Sequence, residues 1–189
     1  MNPDSPCHIP IGHAAYPPRL NARLGKEAPG VLVARGNLDL LQHPLTALLC
    51  SKKCPGNVIL RTFDLVRRLR DEGKTVISGF HSPMEEECLR ILLRGRSPII
   101  LCPARAIEAM RIPKEWRGHL EAGLFLILSP FEQSPTRPTT QSAQKRNGLI
   151  AALADRAILP HAEPGGETDR IRLLLEQLGI PIMKPICDS

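Results

Sequence analysis

The chain has 189 residues, 42% of them apolar, and a formal charge of +6. That is apolar material for one domain-sized core, and no run approaches the ~18 consecutive apolar residues of a membrane helix, so no membrane partner is expected. The opening Met1-Asn2-Pro3-Asp4-Ser5-Pro6 lacks the basic and apolar regions of a secretory signal, so a cytoplasmic location is expected.

Residues 1–40 are rich in Pro, Gly and polar side chains and hold no sustained period, apart from the strand-like Val31-Leu32-Val33-Ala34 and a helical turn over 38–41. They read as an N-terminal extension to a domain over 41–189. An apolar run over 45–50 leads into a turn over 51–56. A helix over 57–72 follows, with Phe63, Val66 and Leu69 on one face and Gly73 as its terminator. Next come a strand over 75–78, a helix over 83–93, a strand over 98–102, helical segments over 104–110 and 113–120, and a continuous apolar strand over 124–128. After a Pro-bearing loop over 131–140 the pattern closes with a helix over 142–154, a strand over 157–160, a helix over 168–178 and a strand over 180–183. Strands alternating with helices need crossover connections, so the expected fold is α/β, a Rossmann-like three-layer sandwich with a mostly parallel sheet.

The six cysteines, Cys7, Cys50, Cys54, Cys88, Cys102 and Cys187, are expected to be reduced thiols. Cys50-x-x-x-Cys54 is their one close pair. It lacks a second Cys/His pair at ligand spacing, so no metal site is expected.

The segment Val76-Ile77-Ser78-Gly79-Phe80-His81-Ser82-Pro83-Met84-Glu85 carries the strongest local signal. Ser82 fits the N-cap, Pro83 the first helical position, and Glu85 completes a capping box. A strand running through Ser-Gly into a helix start aims N–H groups at one point, which favours phosphate. The next two residues, Glu86 and Glu87, join Glu85 in a first turn whose acidity the helix dipole explains.

In a parallel sheet the ligand crevice lies outside the carboxyl ends of the strands, so the loops after Cys50, Ser78, Cys102, Leu128 and Pro160 should converge. They bring Lys52, Lys53, Ser78, Gly79, His81, Ser82, Gly165 and Gly166 to one edge, a set poor in catalytic acids and rich in phosphate-holding features. The abundant Arg residues suit phosphate through their guanidinium forks, so the basic balance points to nucleic acid or nucleotide. With one Trp, one Tyr and four Phe, affinity for a strand should be mainly backbone electrostatics. No Ser/His/Asp constellation is legible, and a non-enzymatic protein with no cofactor is expected.

Four segments in order, Tyr16-Pro17-Pro18-Arg19-Leu20, Ala28-Pro29-Gly30-Val31-Leu32-Val33-Ala34-Arg35-Gly36, Ser78-Gly79 through Glu85, and Lys145-Arg146-Asn147-Gly148-Leu149-Ile150-Ala151, resemble the DNA-processing protein A family, DprA or Smf. The resemblance runs from about Tyr16 to Ile182. It implies a Rossmann-like domain that binds single-stranded DNA in a basic pocket, dimerises, and loads a RecA-type recombinase in natural transformation and recombination. Ser51 and Lys52 fall in the family's Gly-Ser-Arg, and Lys145, Arg146 and Asn147 in its Arg-Asn-Arg, which makes them the implied phosphate contacts. Lys52 keeps the charge of the family Arg and loses its bidentate fork. The chain ends at Ser189, so the winged-helix-like domain of many members is not expected.

The wider superfamily implies an alternative, a nucleotide-binding sensor or a LOG-type nucleoside monophosphate phosphoribohydrolase. Pro164-Gly165-Gly166-Glu167-Thr168 resembles the opening of the Pro-Gly-Gly-x-Gly-Thr-x-x-Glu loop of those hydrolases. The third Gly is absent, and no Glu stands at the expected later place.

Overall fold

The short apolar runs become strands of one mixed sheet in a computed structural model that describes residues 5–51 and 54–183. The strands are β1 (Cys7–Pro10), β2 (Val31–Gly36), β3 (Leu45–Leu48), β4 (Thr75–Ser78), β5 (Ile99–Leu101), β6 (Phe125–Ser129), β7 (Arg156–Ile158) and β8 (Ile182–Met183), in the spatial order β1-β2-β6-β5-β4-β3-β7-β8. The pairings from β6 through β8 are all parallel, while β2 is antiparallel to both β1 and β6. Six α-helices cover the described part of the sheet: α1 (Pro18–Leu24), α2 (Gly56–Asp71), α3 (Pro83–Leu92), α4 (Lys114–Glu121), α5 (Thr140–Leu153) and α6 (Glu167–Gln177).

The period of two along each strand divides the core between two faces. Ala47, Ile77, Ile100, Leu126 and Leu128 pack with Leu149 to Leu153 of α5 and with Ile171 and Leu175 of α6. Their neighbours Leu48, Val76, Ile99, Phe125 and Ile127 pack with Val66 and Leu69 of α2 and with Cys88, Leu89 and Leu92 of α3. Burying each such Leu or Ile contributes about 1.5–3 kcal/mol. This is the expected three-layer α/β architecture.

β1 and α1 did not register in the sequence pattern. Their four and seven residues are too short for periodicity to speak. Tertiary contacts hold α1 in place. Arg19 donates to the carbonyls of Leu41 and Leu153 and to Asp155, and Arg23 donates to the carbonyls of Ala152 and Ala154. Leu20 is fully buried and the Tyr16 hydroxyl donates to the Pro29 carbonyl at 2.6 Å. The division drawn at residue 40 falls inside the sheet, since β2 on one side of it pairs with β6 on the other.

One expected element is absent. Residues 104–110 form bends and turns in place of a helix. The segment is bounded by Pro103 and Pro113, and its backbone bonds elsewhere: the Ala106 N–H donates to the Pro135 carbonyl, and the Arg105 carbonyl accepts from Ser129 Oγ. Tertiary partners outbid a helix that Pro already limits on both sides.

β3 is where the chain order reverses, with β4, β5 and β6 to one side and β7 and β8 to the other. The crevice of a doubly wound sheet opens at the carboxyl end of such a strand.

Candidate nucleic-acid interface

The helix start read from the sequence is present in full. Ser82 Oγ accepts from the Glu85 N–H at 3.3 Å, and Glu85 reaches back to the Ser82 N–H, closing a capping box with Pro83 in the first turn. Its anion is already in place. The Glu85 carboxylate, on a residue only 5% exposed, accepts from the N–H groups of Cys50 at 2.8 Å, His81 at 2.9 Å and Ser82 at 3.3 Å. The N–H groups expected to hold a phosphate therefore hold an internal carboxylate, which clamps the end of β3 to the start of α3. The dipole explains Glu86, and Glu87 pairs with Arg90 one turn on at 2.8 Å; Glu85 has this further structural role.

Beside this clamp lies a hollow of about 270 Å³ bounded by Leu49 to Ser51, His81, Ser82, Arg146, Asn147 and the start of α6. Gly166 caps α6 with no side-chain acceptor, and Gly166, Glu167 and Thr168 at the start of this helix line the hollow. Ser51 Oγ accepts from the Glu163 N–H at 3.2 Å and ties the end of β3 to the loop before α6.

Arg146 dominates the electrostatics. It is 4% exposed, its Nη1 donates to the Cys102 carbonyl at 3.0 Å, and its Nε has no partner. Burial pulls the guanidinium below its ordinary value, opposed by the nearby charges of Glu85 and Glu167, and an Arg so placed remains a cation at neutral pH. Glu85 is committed to backbone N–H groups. Glu167 bonds Arg170, Asn147 and Gln144. Burial raises the Glu167 carboxyl, but the bonds from Arg170 and Asn147 outweigh it and hold it below the usual range.

A second hollow, of about 420 Å³, opens on the other side of Arg146 between α3, α4 and the loop after β5. Arg146 and His81 line both spaces. Gly79 lines the larger one, and a side chain there would have to displace the Arg146 guanidinium, which occupies the space a Cβ would take. The next residue, Phe80, takes a left-handed φ of 44°. Such backbone costs a non-glycine residue about 1 kcal/mol or more.

Of the residues singled out in the sequence, Ser51, His81, Ser82, Arg146, Asn147 and Gly166 meet in the smaller hollow, with Gly79 next door. Ser78 is fully buried, and its Oγ accepts from the Phe80 N–H, so it shapes the turn and faces neither space. Lys145 points its Nζ over the Phe131 ring, 5.7 Å from the centroid. The Gly165 N–H donates to Asp169, and neither Lys145 nor Gly165 lines either hollow. Lys52 and Lys53 lie outside the described residues. The second hollow escaped the sequence reading because its walls, Leu89, Leu93, Met110 and Trp116, look like ordinary core positions. Among the described residues no cluster of His, Cys, Asp or Glu could hold a metal, and no helix is long and apolar enough to cross a membrane.

The family model described as DNA recombination-mediator protein A matches residues 8–169. The chain belongs to that family. Two solved structures of DNA processing protein A share the fold, each at 21% identity. The Helicobacter pylori protein, described for its single-stranded DNA binding mode, superposes with a TM-score of 0.76 over 97% of this chain and 82% of its own length. The Streptococcus pneumoniae protein superposes with a TM-score of 0.75 over 94% of this chain. This chain spans 62% of the length of the S. pneumoniae protein. A molybdenum cofactor binding protein from Rippkaea orientalis has a more distant fold similarity, with a TM-score of 0.52 at 10% identity over 75% of this chain and 76% of its own length. No curated protein sequence matches significantly.

The family motifs acquire separate tasks on this fold. Tyr16 to Leu20 dock α1 through the Tyr16 hydroxyl, Arg19 and Leu20. Gly79 and Arg146, far apart in sequence, make the charged centre of the crevice.

Proposed function

We propose that this family member binds single-stranded DNA at the carboxyl edge of its sheet, with strand phosphates drawn to the hollow between Ser51, Ser82, Arg146 and the start of α6. The observation that carries this reading is Arg146: a buried guanidinium on a residue that lines both hollows at the crevice of a doubly wound sheet. A cation desolvated in this way gains most from a phosphate oxygen, because the cost of its burial is already met within the fold. Family membership supports a DNA ligand, and the single-stranded DNA binding of the H. pylori protein supports the strand form.

The role that follows is recombination mediation in the cytoplasm, without catalysis, by a homodimer that hands the strand to a RecA-type recombinase. Lys52 and Lys53 would add positive charge to the attraction for strand phosphates, and Lys145 and the glycine turn at Gly165 would flank the strand.

A gel-shift with short single-stranded oligonucleotides tests the reading. Retardation at low salt that weakens steeply as salt rises is expected, because phosphate contacts release counterions. Absence of any shift at low salt overturns it.

A further inference from the structure

The positive charge of this chain is not concentrated at the crevice. Each of β3 and β4 is followed by a helix that returns to the start of the next parallel strand, so α2 and α3 begin at the carboxyl edge of the sheet and end at its amino edge. The turns that follow them, residues 72–74 and 93–98, meet at that far edge. Ser97 Oγ donates to the Lys74 carbonyl at 2.5 Å, and the stem of Arg70 crosses Gly95, where a Cβ would stand 2.5 Å from Arg70 Cγ.

Residues 64–74 and 87–96 carry seven Arg and Lys side chains against four Asp and Glu, a surplus of +3 in a chain whose total is +6. The four acids pair with Arg67, Arg70, Lys74 and Arg90. Arg94 and Arg96 remain, exposed on either side of Gly95 and with no acidic partner among the described residues. The helix dipole accounts for Arg68, Arg70 and Arg90, which stand in the last turns of α2 and α3. Its pull fades within the last turn, and Arg94 and Arg96 lie beyond Leu92, the last residue of α3.

Two helices connect this surplus with the crevice, and they differ in charge. α3 begins with Glu85, Glu86 and Glu87, an acidic stretch that repels a phosphate chain. α2 has the exposed Arg61 near its start, beside Pro160 and His161 of the loop after β7, and Arg67 and Arg68 exposed toward its end. The one acid between Arg61 and Arg68, Asp64, is paired with Arg67. We propose that a bound single strand continues from the crevice along α2 to the amino edge, where Arg94 and Arg96 hold its phosphates. The inference rests on the DNA reading and gives that strand a second, separate contact. Guanidinium forks suit phosphate oxygens whatever the base, so this contact adds affinity and no sequence preference. α2 has 16 residues and is about 24 Å long, a distance that takes about seven nucleotides at the stacked spacing of about 3.4 Å.

The double variant Arg94→Gln/Arg96→Gln of the full chain tests the contact, by anisotropy with a labelled 40-nucleotide strand and a labelled tetranucleotide. Both positions are exposed, so the melting temperature should not move. The 40-nucleotide strand should bind at least about tenfold more weakly, with the dependence of log affinity on log salt shallower by about 1.4 units, the value for two phosphate contacts on a single strand. The tetranucleotide, about 14 Å long at the stacked spacing, should bind variant and parent equally. An unchanged 40-nucleotide titration overturns the amino-edge contact and leaves DNA binding at the crevice standing. Equal weakening for both strands also overturns it, because the two arginines would then act through overall charge and not through contact. If neither strand binds the parent at low salt, the contact and the DNA reading fail together. Polyglutamate that binds the parent as tightly as the long strand, and the variant more weakly, makes the partner an acidic protein and overturns the assignment to nucleic acid.

Discussion

The Arg146 guanidinium occupies the space that a side chain at Gly79 would fill, with Nη1 1.4 Å from where a Cβ would stand. The two residues come from different layers: Gly79 ends the β4 turn and Arg146 projects from α5. Gly79→Ala therefore has to displace the guanidinium or the turn, and overpacking of this kind costs about 1–3 kcal/mol. We expect a lower melting temperature together with loss of oligonucleotide binding, measured by thermal unfolding and fluorescence anisotropy. Wild-type binding in this variant would show that the position of Arg146 is irrelevant to DNA.

Arg146→Met separates charge from stability. Removing a desolvated cation recovers much of the cost of burying it, while the Cys102 carbonyl loses its donor, so stability should change by no more than about 2 kcal/mol. DNA affinity should fall at least about tenfold, and the dependence of log affinity on log salt should shallow by about one unit. Anisotropy titrations at several salt concentrations read both.

Glu85→Ala should be among the most destabilising single changes at this edge. It strands the N–H groups of Cys50, His81 and Ser82, and losing bonds to a charged acceptor costs about 3 kcal/mol. The emptied cradle then matches a free anion. Added phosphate should raise the melting temperature of the variant more than that of the parent, and an equal response in both proteins would refute the clamp.

Alkaline stability should fall for a specific reason. Burial pushes the thiols of Cys88 and Cys102 up to about 12 from the ordinary 9.0. The folded state therefore keeps protons that the unfolded chain releases above pH 9. The stabilisation is complete below that pH and is lost as pH rises toward 12. Melting temperatures between pH 7 and 11 should decline less steeply for Cys102→Ala than for the parent.

Thiol accessibility follows the same burial. Cys7 and Cys54 are partly exposed, whereas Cys50, Cys88 and Cys102 are buried. Among these five, native-state alkylation read by peptide mapping should modify Cys7 and Cys54 first, since a buried protonated thiol is a poor nucleophile.

Local signals in the sequence were sufficient for much of the architecture. Apolar runs such as Phe125 to Leu128 and the box from Ser82 to Glu85 are written in consecutive residues, so propensity, period and capping chemistry determine strand, helix and the α/β class. Their alternation determined the parallel sheet and, through it, the edge at which the crevice opens. Tertiary structure decided what that edge contains. The Glu85 carboxylate fills the N–H cradle because the end of β3 packs against the start of α3. Residues 104–110 lost their expected helix to hydrogen bonds from Ser129 and to Pro135. Leu89 and Trp116 became pocket walls only because α3 and α4 border one open space beside Arg146. A chain's local pattern shows which residues seek burial, but whether an apolar face meets another element or an open space depends on contacts between segments distant in sequence.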